Sequence, residues 1–126
     1  WWLMYKYFTK EELTCKHCEE YSMSDEFMQK LDQLREDMGF PFKITSAYRC
    51  PEHPIEARKK SPGSHSTGRA VDIGVRGENA YKLIQGAIEL GFTGIGVNQK
   101  GSSTRFIHLD DIENSDERPR PTVWSY

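Results

Sequence analysis

No hydrophobic run in these 126 residues approaches the ~18 that a membrane-spanning helix needs, so a membrane is not an expected partner. An excess of one charge is missing too. The 17 basic and 19 acidic side chains leave a formal net charge of −2, which argues against a nucleic-acid partner. Cysteine is scarce and odd in number. Cys15, Cys18 and Cys50 cannot all pair within one chain, which favours a reducing compartment or metal ligation. The aromatic start, WWLMYKYFTK, lacks the basic head, clean apolar centre and small-residue cleavage site of a signal peptide.

Hydrophobic residues at 37% and aromatics at 12% suffice for one core, and no repeat or linker divides the chain. A single domain over 1–126 is expected, with 1–23 an N-terminal extension packed on it. Thr9 to Glu12 offers a cap and a carboxylate for a short helix or turn. Ser24-Asp25-Glu26 opens a firmer helix, with Phe27, Leu31, Leu34 and Met38 on one stripe and Gly39 as its stop. Phe42 to Ser46 alternates as a strand, and Arg69 to Val75 reads as a buried one. Glu78 to Leu90 carries Ala80, Leu83, Ile84, Ala87 and Ile88 at helical spacing and stops at Gly91. Further strands are predicted near Gly94 to Val97 and Arg105 to Asp110, followed by an extended tail laid over the surface. The order predicts an α+β fold, a small antiparallel sheet with flanking helices. The polar segment between Arg49 and Gly68, with its three prolines, is the irregular excursion where chemistry is expected.

In the stretch SHSTGRAVDIG, His65 and Asp72 meet neither on a helix nor on one strand; they converge only if the chain turns at Ser66-Thr67-Gly68. A third group comes from FIHLD, where His108 and Asp110 share a strand face. Two imidazoles and a carboxylate with a fourth position open are a catalytic zinc set. The plainer alternatives are a loop histidine, a packed strand histidine and a capping or ion-paired aspartate. Asp72 resists that reading most, because a carboxylate in an apolar strand is costly unless paired or metal-bound.

The segments ITSAYRCPEH, SHSTGRAVDIG, GFTGIGV, FIHLD and VWSY, in that order, resemble the zinc D-alanyl-D-alanine carboxypeptidase family, peptidase M15. These small peptidoglycan peptidases are related to the amino-terminal signalling domain of hedgehog proteins. The likeness runs from about Phe27 to Tyr126, and its Ser-x-His-x-x-Gly-x-Ala-x-Asp pattern is matched at every fixed position. It implies zinc ligands at His65, Asp72 and His108, and it implies that Arg49 holds the substrate and steadies the developing oxyanion. Where many relatives place an acidic base, three residues before the last ligand, this chain has Arg105. Asp110 is the substitute expected, with Asp111 and Glu113 behind it, or else it orients His108 through its other ring nitrogen. Tyr48 and Trp124 are candidate walls of the cleft.

The function this implies is a monomeric zinc peptidase that hydrolyses peptidoglycan stem peptides, as a D-Ala-D-Ala carboxypeptidase or an L-Ala-D-amino acid endopeptidase. Without an export signal, it is expected to accumulate in the cytoplasm and to act on the cell wall or periplasm, as phage-type endolysins do. Cys15, Cys18, Cys50 and His53 form a possible second, structural zinc site; a disulfide involving Cys50 is equally open. Two rivals are a non-catalytic zinc-binding module of the same fold and a cysteine-zinc module that binds protein or nucleic acid.

Overall fold

Ser24 opens the helix that its chemistry predicts: its side chain accepts from the Phe27 amide, and Gly39 closes the helix at φ 75°. This helix, α1, spans Asp25–Met38 in the computed structural model, which describes residues 7–8, 13–14, 23–47, 68–101, 104–116 and 119–126. Phe27, Met28, Leu31 and Leu34 are buried along one side. Strands β1 (Lys43–Ser46) and β2 (Ala70–Gly74) follow, then helix α2 (Gly77–Glu89) and strands β3 (Gly94–Asn98), β4 (Phe106–Asp110) and β5 (Thr122–Ser125).

The five strands form one sheet in the order β1-β2-β4-β3-β5. The α+β fold expected from the sequence is the fold found, with one refinement. All pairings are antiparallel except β3 with β5, which is parallel, so the sheet is mixed. The tail is therefore a fifth strand rather than a segment lying over the surface. Its hydrogen-bonding partner is an edge that residues 94–98 leave open, which no local pattern in TVWS announces.

Alternation along the strands sorts side chains onto two faces. Val71, Ile73, Ile95, Ile107 and Leu109 turn to the helices and make the core with Phe27, Leu31, Leu34, Leu83 and Ala87. Phe8 and Leu13 are buried in the same core, and Phe8 stacks tilted on Phe42 with centroids 6.3 Å apart. Ile88 departs from the expected helical stripe: it is 62% exposed, while Gly86 is buried alongside Ala87 and faces Leu34 and Met38. The helices α1 and α2 approach closely at Gly86, and Ile88, two residues on and roughly opposite around the helix, faces outward.

The segment before β2 is anchored by Arg69. Its guanidinium donates to both Asp111 oxygens at 2.7 and 2.8 Å and to Ser24 Oγ at 3.0 Å. Lys30 adds a contact to Asp111 at 3.3 Å. One buried carboxylate thus ties the start of α1 to the ends of β2 and β4.

Candidate active site

The opposite face of the sheet carries the polar residues. Asp72 lies directly opposite His108, His108 opposite Gly96, and Gly96 opposite Trp124, so four strands contribute to a single row. Directly opposed residues hold their Cβ atoms ~4.5–5.5 Å apart, which explains how side chains 36 positions apart in sequence meet. His108 Nδ1 and Asp72 Oδ1 are 3.0 Å apart, and both residues are buried.

The other ring nitrogen is held as well. His108 Nε2 lies 2.8 Å from Asp110 Oδ2, and Asp110 is wholly buried. Arg120 grips that carboxylate in a fork, Nε to Oδ1 and Nη2 to Oδ2, both at 2.9 Å. Burial opposes charge on His108, but hydrogen bonds to Asp110 and Asp72 and their negative charges outweigh it, so its pKa stands above the ordinary histidine value. Burial likewise works to raise the Asp110 pKa, but His108 and Arg120 outweigh it and hold the group below the ordinary carboxylate value. An ionised Asp110 fixes a proton on Nε2. In the neutral ring, Nδ1 then carries the lone pair, on the Asp72 side.

Two glycines in GFTGIGV make room for this arrangement. A Cβ on Gly94 would run into the Asp110 carboxylate. On Gly96 it would come within 2.7 Å of Trp124 Nε1 and 3.0 Å of His108 Cβ. Trp124 therefore crosses β3 to pack its ring 5.0 Å from His108, and Arg120 sits 5.2 Å over the same indole. Tyr126 and Phe106, 5.1 Å apart, extend the aromatic surface.

Of the residues singled out from the sequence, the sheet brings together Asp72, His108, Asp110 and Trp124. Asp111 is one residue past Asp110, and the alternation turns it to the helical face, where Arg69 and Lys30 occupy it. Glu113 is exposed. Arg105 lines a cleft beside Phe106. Arg49, His65, Tyr48, Cys15, Cys18, Cys50 and His53 lie outside the described residues.

Arg120 is the participant that sequence reading missed. A basic residue among the prolines of ERPRP reads as exposed, yet its side chain is 7% exposed. The available signal was indirect: a carboxylate as deeply buried as Asp110 calls for a cation.

Among the described residues no group of three metal-ligating side chains occurs. The described part nevertheless has donors of the kind zinc takes. A buried carboxylate oxygen and an imidazole nitrogen stand 3.0 Å apart, and the imidazole is oriented from behind by a second carboxylate.

Comparison with protein families finds a match: the family model described as Peptidase M15 matches residues 6–110. That stretch includes Asp72, His108 and Asp110 and stops before Arg120 and Trp124. No curated protein matches the chain.

Proposed function

The chain belongs to the peptidase M15 family and is a peptidase by that membership, and from this premise we propose that it is a zinc-dependent enzyme cleaving stem peptides of peptidoglycan. The observation that carries the metal part is the Asp72–His108 pair with Asp110 and Arg120 behind it. In this reading Asp72 and His108 are two zinc ligands and His65 is the third. Held by these residues, zinc would supply Lewis acidity, lowering the pKa of a water toward ~7 and polarising a carbonyl.

The chain's own residues have distinct tasks. Asp72 contributes negative charge, and His108 contributes a nitrogen whose orientation Asp110 sets through Nε2. Of the two roles the sequence left open for Asp110, the geometry supports orientation. Both of its oxygens are engaged by Arg120 and one also by His108, so it is poorly placed to collect a proton from a nucleophile. Arg49 is assigned to the substrate carbonyl, where a guanidinium fork stabilises developing negative charge. Trp124 offers a flat wall beside the pair.

Metal content per chain, measured together with muropeptide release from purified peptidoglycan, tests the reading on wild type and His108→Ala. About one zinc per chain and release that the variant loses is the expected result; absence of zinc overturns it. A second reading, a zinc-binding module without hydrolysis, draws on Arg105 at the position where relatives carry an acidic base. Zinc retained with no release from any wall type would establish that alternative.

A further inference from the structure

The alternation that puts Asp72 and His108 on the polar face also puts Gly74 and Phe106 there, two residues further along β2 and β4. Both line a cleft of about 440 Å³. Three basic side chains, Lys43, Arg76 and Arg105, share that lining, and no acidic one does among the described residues. Gly74 is paired with Lys43, and its missing side chain leaves space that a Cβ would narrow, 3.2 Å from Thr45 Cγ2 and 3.5 Å from Lys43 Cδ.

The two hydroxyls of the described lining are already committed. Thr45 Oγ1 donates to the Asp72 carbonyl at 3.3 Å and Thr104 Oγ1 to the Lys100 carbonyl at 3.2 Å. Arg105 donates Nε to the Gly101 carbonyl at 2.6 Å, which steadies the guanidinium and leaves its terminal N–H groups for another partner. What the cleft offers a ligand is therefore positive charge: the ammonium of Lys43 and the guanidinium fork of Arg105 beside the ring of Phe106, with the charge of Arg76 in the same lining. A planar anion with two oxygens suits that fork best.

We propose that the Lys43/Arg76/Arg105 cleft is a subsite for a carboxylate of the peptide substrate; for its substrate class this rests on the peptidase reading above. Two strand residues span ~7 Å, and an extended peptide advances ~3.3–3.6 Å per residue. The carboxylate thus lies about two residues from the attacked carbonyl, or on the side chain of the adjacent residue. Stem peptides offer this group at the α-carboxyl of a γ-linked glutamate and at a free C-terminus. Replacing the carboxylate by a carboxamide removes the charge and keeps the shape.

The test uses the zinc-supplied full chain and three synthetic stem pentapeptides: all carboxylates free, the glutamate α-carboxyl amidated, and the C-terminus amidated. KM for the free acid is expected to be roughly tenfold lower than for one of the two amides, and that amide identifies which carboxylate is bound. In Lys43→Gln/Arg105→Gln the preference shrinks to about twofold through KM, with kcat and the thermal midpoint near wild type, and Arg105→Lys restores part of it. Equal KM for all three peptides in the wild type overturns the subsite without recourse to any variant. If no peptide is cleaved, the peptidase reading fails separately, and calorimetric titration of the same peptides decides the subsite. A roughly tenfold difference in Kd that the double variant loses upholds it, and no difference or no binding overturns it.

Discussion

A single added methyl group at Gly94 would meet a carboxylate that has nowhere to go. Asp110 is fixed by His108 and by the fork of Arg120, so Gly94→Ala is expected to lower stability by about 1–3 kcal/mol in urea denaturation. Gly86→Ala makes contacts nearly as close, 2.7 Å to Met38 Cε and 2.8 Å to Leu34 Cδ1, but these are ends of flexible side chains. Better helix propensity offsets the crowding, and a change within about 1 kcal/mol is expected there. Arg120→Gln leaves the buried Asp110 without its bidentate partner, a loss of about 3–5 kcal/mol by the same denaturation. Asp110→Asn keeps the shape and removes the charge that fixes the His108 tautomer. Its expected signature is zinc affinity weakened about 10- to 100-fold in a chelator competition, and unchanged affinity would count against the orienting role.

At the scale of elements, the polar anchoring of α1 to the sheet runs through Ser24, Lys30 and Arg69, beside the apolar side that it buries in the core. Ser24 Oγ both caps the helix and accepts from Arg69, so Ser24→Ala should cost about 1 kcal/mol. Arg69→Met removes two hydrogen bonds from Asp111, whose side chain is 1% exposed. Lys30 remains at 3.3 Å and the Arg69 side chain is itself 30% exposed, so a loss near the lower end of the buried-pair range, about 3 kcal/mol, is expected. Hydrogen exchange read along the chain should show that protection in 25–38 falls more than in 94–98. Equal loss in both would mean that Asp111 stabilises the whole sheet rather than the docking of α1.

For the whole molecule, the proposed zinc site would couple metal binding to the fold. Asp72 and His108 come from β2 and β4, and a ligand that binds only when they are paired stabilises the native state. If the proposed site holds zinc, the ion at about 100 times its Kd is expected to add ~2.7 kcal/mol, which for a chain of this size would raise the melting midpoint by roughly 10 °C. Differential scanning calorimetry with zinc and with chelator reads it directly, and coincident midpoints would oppose a zinc site between these strands.

Short-range pattern was enough to determine the helices over 25–38 and 77–89 and the strands around 43–46, 70–74, 94–98 and 106–110, because caps, glycine stops and periodicity act within a few residues. It also placed Asp72 and His108 in apolar strands, where a carboxylate and an imidazole invite explanation. Tertiary structure decided the rest. TVWS becomes a parallel edge strand only because β3 offers an open edge, and Ile88 faces outward while α1 approaches α2 at Gly86. Arg120 reaches Asp110 because β5 lies beside β3, and the two glycines of GIGV matter because of what crosses above them. Periodicity records which way a side chain faces along its own strand. Which strand lies alongside, and in what register, depends on pairings between distant segments, and those pairings assemble the described part of the site.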